Sequence, residues 1–142
     1  VTQITATAAS SAAPEQVWHL LAAMDRMPEW FPGVSARRFQ AEFDGERPVR
    51  RTITLPGGDL VEAVTRWDPP RELHYQVTES ALPIRDHLGV IRLTPEGAGT
   101  RVDYTVVFRV PWWAWPLGVV LRLGLGAAVR KATKNLARMA AA

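Results

Sequence analysis

Apolar and polar positions alternate weakly over residues 2–8, with Ile4, Ala6 and Ala8 set against Thr5 and Thr7. That period of two predicts a first strand. Pro14 and Glu15 follow, suited to the first turn of a helix and to the positive end of its dipole. Val17, Leu20, Leu21 and Met24 then recur at helical spacing, predicting a short amphipathic helix. Pro28 and Pro32 bracket Glu29, Trp30 and Phe31, which reads as a tight turn or a single helical turn carrying two large rings.

Beyond it, strands are predicted over residues 34–43, 49–55, 60–67, 72–78, 86–94 and 100–110. Asp44-Gly45, Pro56-Gly57-Gly58, Asp68-Pro69-Pro70 and Pro95-Glu96-Gly97 separate them at the spacing of hairpin-connected antiparallel strands. In the last strand Val102, Tyr104 and Val106 alternate with Arg101, Asp103 and Thr105, giving one buried and one wet face. The period then changes. After the corner from Pro111 to Pro116, a helix is predicted over residues 117–139. Leu117, Leu121, Leu125, Ala128, Val129, Ala132, Leu136 and Met139 share one stripe, with Arg130, Lys131, Lys134 and Arg138 opposite. A sheet of about seven strands must cover one apolar face, and this helix is the element available to cover it. The expectation is one α+β domain over residues 1–142: a curved antiparallel sheet around a long C-terminal helix, with two short helices between strands 1 and 2.

Composition changes this picture little. The 142 residues, 47% hydrophobic and 22% charged, suit one globular core. Absence of cysteine excludes disulfides, thiolate metal sites and cysteine nucleophiles. His19, His74 and His87 have no metal-ligand spacing, and no phosphate-cradling loop occurs, so neither metal nor cofactor is expected. Residues 1–4 show neither a basic nor a long apolar leader segment, which leads to the expectation of a cytoplasmic protein.

Charge is more informative. The net charge is +3, yet no acidic residue follows Asp103, while Arg122, Arg130, Lys131, Lys134 and Arg138 all lie in the last helix. Without those five, the 17 basic residues no longer outnumber the 14 acidic ones. Basicity thus belongs to one helix and not to a nucleic-acid-binding surface, so no nucleic-acid partner is expected. Residues 110–129, with only Arg122 charged, imitate a membrane span with an aromatic belt. Pro111, Pro116, the mid-span Arg122 and the one-sided stripe favour a core-latching helix instead. Trp112, Trp113 and Trp115 remain as a greasy portal, for weak membrane-surface contact or for ligand entry.

The order strand–helix–turn–six strands–long helix resembles the helix-grip fold of the START/Bet v 1-like (SRPBCC) superfamily, which includes polyketide cyclase/dehydrase-like proteins and the plant abscisic-acid receptors. PEQVWHLLAAMDRMPEWFPGV (residues 14–34) is similar to its opening helix and turn. VRRTITLPGGDLVEAVTRWDPPRELHY (49–75) is similar to its central hairpins, LPIRDHLGVIRLTPEGAGTRVDY (82–104) to the next strand pair, and KNLARM (134–139) to the end of its closing helix. The resemblance implies an internal cavity for a small hydrophobic molecule: aromatic, polyketide-like or lipid-like. It implies Arg50 and Glu62 on the concave face of adjacent strands, and His87 where the family often has tyrosine. It further implies a lining of Tyr75, Val77, Ile91, Tyr104, Val106 and Phe108 from the sheet, Trp30 and Phe31 from the turn, and Leu117, Leu121, Leu125 and Ala128 from the helix. Aromatase/cyclase relatives carry arginine directly after the glutamate. Here it is Ala63, so a mechanism built on that arginine does not carry over.

Three functions stay open at this stage. One is cofactor-free cyclisation or dehydration of a polyketide-type substrate, by a lyase or isomerase in which Arg50 binds a carbonyl or carboxylate and Glu62 or His87 moves a proton. Another is a non-catalytic carrier or sensor of a quinone, lipid or metabolite, in which Arg50 and Glu62 form a structural pair or Glu62 faces solvent. The third is a membrane-surface accessory protein. A monomer and a homodimer are equally compatible with the pattern.

Overall fold

The computed structural model describes residues 1–45, 47–55 and 57–142. Strand β1 (Thr2–Ser10) leads into helix α1 (Pro14–Ala22), a 3-10 turn (Met24–Arg26) and helix α2 (Met27–Trp30). Strands β2 (Gln40–Asp44), β3 (Arg47–Leu55), β4 (Gly58–Asp68), β5 (Glu72–Ser80), β6 (Arg85–Glu96) and β7 (Gly99–Arg109) follow. A second 3-10 turn (Trp112–Ala114) then enters helix α3 (Trp115–Ala141). The seven strands form one antiparallel sheet in the order β1-β7-β6-β5-β4-β3-β2, the arrangement expected of the helix-grip fold. Hairpins join β2 through β7 in sequence order, and the two short helices carry the chain from one edge of the sheet to the other.

The predicted elements form, with shifts that have local causes. The strand expected over 34–43 shortens to Gln40–Asp44, because Val34 turns into the core and the Ser35 N–H donates to the Thr54 carbonyl (3.0 Å). The closing helix begins at Trp115, two residues earlier than predicted, since Pro116 fits its first turn. Pro56 of the Pro56-Gly57-Gly58 signal lies outside the described residues.

Only the second half of α3 is held in the core. Val129, Ala132 and Leu136 have no solvent contact. The Ser10 hydroxyl donates to the Ala137 carbonyl (2.7 Å), and the Asn135 side-chain amide donates to the Trp30 carbonyl (3.1 Å). Burying a valine or leucine side chain contributes roughly 1.5–3 kcal/mol, so Val129 and Leu136 anchor the helix. Leu117, Leu121 and Leu125 are half-buried, and Val119, Val120 and Leu123 are exposed.

Candidate functional site

Strand β3 presents Arg51 and Ile53 to the interior and Arg50 to solvent. A bulge sets this phase: Glu42 pairs with Arg50 and Phe43 with Pro48, leaving Val49 over. Arg51 then stands directly opposite Glu62 on β4. Its Nε donates to Glu62 Oε1 at 2.5 Å, and the two side chains are 2% and 5% exposed. The expectation for Arg50 is therefore corrected. Its side chain is half exposed and approaches Glu42 at 3.9 Å, because a one-residue change of phase moves a side chain to the other face. Glu62 and His87 lie inside as expected.

The pair sits in a closed polar cluster. The Arg51 guanidinium stacks over the Tyr75 ring, 4.7 Å from its centre, and Nη1 lies 3.8 Å from Met24 Sδ. The Tyr75 and Tyr104 hydroxyls are hydrogen-bonded to each other. The His87 ring packs against Tyr75 with centroids 5.5 Å apart. A bulge between Arg85 and Leu88, with Asp86 at φ 52°, turns His87 inward. Gly89 is paired with Tyr75 across β5 and β6, and a Cβ there would overlap the Tyr75 ring. The absence of a side chain at Gly89 is what lets the tyrosine lie flat on β6. Sequence reasoning missed both Arg51 and Gly89. Their signals were the shared phase of Arg51, Ile53 and Leu55, and a lone glycine inside an apolar strand.

Burial shapes the chemistry of the cluster. It pushes the Tyr75 phenol well above its ordinary range, helped by Tyr104 and Glu62, and pushes Tyr104 up to about 12. It lowers the pKa of His87, so the imidazole is neutral at pH 7. Burial also works against the Arg51 charge, but Glu62 and then the two tyrosines outweigh it and the guanidinium stays protonated. Arg51 Nη2, His87 Nδ1 and Trp30 Nε1 are buried without a hydrogen-bond partner among the described residues. An unpaired buried polar atom is costly. Arg51 and His87, both against Tyr75, offer a donor and a proton acceptor to an incoming polar group.

A cleft of about 490 Å³ lies beside this cluster. Val120, Leu121, Gly124, Leu125, Ala127, Ala128 and Lys131 form its helix wall; Phe31, Pro32, Gly33, Leu55 and Leu82 form the other. Gly124 has open space where a Cβ would stand, so the missing side chain widens the cleft. Phe31 also packs edge-on against Tyr104, with centroids 6.3 Å apart, and so divides the cleft from the polar cluster. The expected lining includes Phe31, Leu121, Leu125 and Ala128, which stand in the walls of this cleft. It is corrected for Trp30, Val77, Ile91, Val106, Phe108 and Leu117, which do not line it, and for Tyr75 and Tyr104, of which Tyr104 packs against Phe31 and Tyr75 against Tyr104. The reason is steric. Met24, Met27, Trp30 and Phe31, each 5% exposed or less, pack between sheet and helix, and the cleft opens beside them along residues 120–131 of α3.

Comparison with known proteins bears on this geometry. Among solved structures, the TTHA0849 protein of Thermus thermophilus superposes with a TM-score of 0.77 at 20% identity, over 95% of this chain and 94% of that one. StfQ, the di-domain ARO/CYC protein of the steffimycin biosynthetic pathway, gives 0.76 at 18% identity, over 98% of this chain and 50% of that one. Norcoclaurine synthase from Thalictrum flavum gives 0.71 at 18% identity, over 93% and 83%. At such identities the likeness shows a common fold. No significant match was found among curated protein sequences. The family model described as "Polyketide cyclase / dehydrase and lipid transport" matches residues 1–141. The chain is therefore a member of the polyketide cyclase/dehydrase and lipid transport family, in its helix-grip form.

Proposed function

We propose that the chain binds one small, largely apolar molecule in the cleft between α3 and the Phe31–Gly33 turn, with the polar end of that molecule directed past Phe31 towards Arg51 and His87. The observation that carries this reading is the cleft itself. Its volume of about 490 Å³ suits a small organic ligand, and Lys131 is the one ionisable residue among the described residues in its walls. Native mass spectrometry of protein purified from cells tests it. A bound small molecule, lost in a Gly124→Leu variant that fills the cleft, supports the reading; equal recovery from that variant contradicts it.

The unpartnered Arg51 Nη2 and His87 Nδ1 support a catalytic version of the same site. Neutral His87 takes a proton from a carbon next to a ligand carbonyl, and the enolate oxygen accepts a hydrogen bond from Arg51. The enolate carbon then closes a ring onto a second carbonyl of a polyketide-type chain. His87 returns its proton to the alkoxide so formed, giving a hydroxyl; it then takes the second proton from the attacking carbon and delivers it to that hydroxyl, which leaves as water as the carbon–carbon double bond forms. Loss of turnover of a poly-β-ketone substrate in both Arg51→Met and His87→Phe, with anilinonaphthalene sulfonate still bound in the cleft, distinguishes an enzyme from a carrier. Recovery of an unaltered ligand without turnover favours the carrier.

A further inference from the structure

The exposed half of α3 is apolar where the fold gives no reason for it to be. Trp112, Trp113 and Trp115 are 85%, 60% and 68% exposed, and Val119, Val120 and Leu123 continue the patch along the helix. Farther along α3, the solvent-exposed side chains include Arg130, Lys131, Lys134 and Arg138, with only glycine or alanine at the other exposed positions. The patch therefore runs into a basic stretch, with Arg122 exposed within the patch itself and no acidic residue anywhere after Asp103. We infer that this half of the helix docks onto an anionic lipid bilayer, with the tryptophans at headgroup depth and the basic residues against the phosphates.

Three observations choose this occupant. Tryptophan is the residue type that favours the membrane–water interface, and an apolar patch continued by lysine and arginine is the pattern of a helix lying in that interface. A second copy of the chain fits less well, because a two-fold contact centred on this patch sets the two exposed Arg122 side chains close together. A membrane span is excluded while the fold holds. The segment from Trp112 to Ala141 is long and apolar enough to cross a bilayer, but Val129, Ala132 and Leu136 are committed to the sheet. Val120 belongs both to the patch and to the wall of the cleft, so docking sets the cleft mouth against the lipid. The docking itself does not rest on the ligand reading; only uptake of a ligand from the bilayer does.

Co-sedimentation of the full chain with phosphatidylcholine vesicles, with and without phosphatidylglycerol, tests the inference. Binding to the anionic vesicles at low salt is expected, weakened by salt, with about a tenfold or greater loss in a Trp112→Ser, Trp113→Ser, Trp115→Ser triple variant. Circular dichroism of the variant should match the parent, since these side chains are exposed. Gly124→Leu should dock as the parent does, which separates failure of docking from failure of ligand binding. No binding by the parent, equal binding by the triple variant, resistance of bound protein to an alkaline wash, or a dimer lost in the triple variant without vesicle binding would each overturn the inference.

Discussion

Arg51 and Glu62 face each other across β3 and β4 with an Nε–Oε1 distance of 2.5 Å and almost no solvent contact. Arg50, one residue earlier, stands outside. Removing one partner of a buried pair leaves the other charge uncompensated, at a cost of about 3–5 kcal/mol. Arg51→Met and Glu62→Gln are therefore expected to lower the urea midpoint strongly. Arg50→Ala should change stability by less than about 1 kcal/mol, as for an exposed pair. Equal losses from Arg50→Ala and Arg51→Met would place the wrong arginine inside.

Gly89 and Tyr75 make the second relationship open to a single substitution. A Cβ at Gly89 would overlap the Tyr75 ring. Gly89→Ala must push the tyrosine off β6, costing roughly 1–3 kcal/mol as overpacking does. It should also disturb the Tyr75–Tyr104 hydrogen bond and the stacking of Arg51. Denaturant unfolding and near-ultraviolet circular dichroism read both effects; a variant with parental stability and spectrum would contradict the packing.

Gly124 predicts the opposite balance. Its missing side chain leaves open space inside a helix, and replacing a helical glycine gains up to about 1 kcal/mol. Gly124→Leu should keep or raise thermal stability while weakening binding of anilinonaphthalene sulfonate at least about tenfold. A variant that binds the dye as the parent does would place dye binding elsewhere.

Protonation of His87 gives a pH signature. Burial lowers its pKa from the ordinary 6.5 in the folded chain. Between those two values the unfolded chain binds the extra proton, so stability rises with pH. Acidification from about pH 7 through the ordinary histidine range is expected to destabilise the parent, and His87→Phe should show a shallower loss. Urea midpoints measured against pH check this, and identical slopes would contradict a buried neutral imidazole.

The fold was legible in the sequence because its signals are local. Turn residues separate alternating runs, and the change from period two to a helical stripe marks α3. The site was less legible because it depends on phase and on space. Arg50 and Arg51 are adjacent, and the bulge at Val49 decides which one enters. Ile53 and Leu55 carried the phase of Arg51, but Val49 shares that phase and is exposed, so alternation alone misleads at this end of the strand. The cleft depends on how Phe31, Leu55 and Leu82 meet the helix across the chain, and on a side chain that Gly124 lacks. No period along the sequence encodes a distance between elements far apart in it. The stripe on α3 placed Leu121, Leu125 and Ala128 on the inward face, and they stand in the cleft wall because that face is set by helical spacing whether the space beside it is filled or open.

Methyl-resolved NMR during titration with anilinonaphthalene sulfonate tests the central claim most directly. Shifts concentrated on Leu55, Leu82, Val120, Leu121 and Leu125, with Ile53, Ile91 and Leu136 unmoved, are the expected result. Saturable binding that leaves the first group unmoved, or no binding at all, would contradict a ligand cleft between α3 and the Phe31–Gly33 turn.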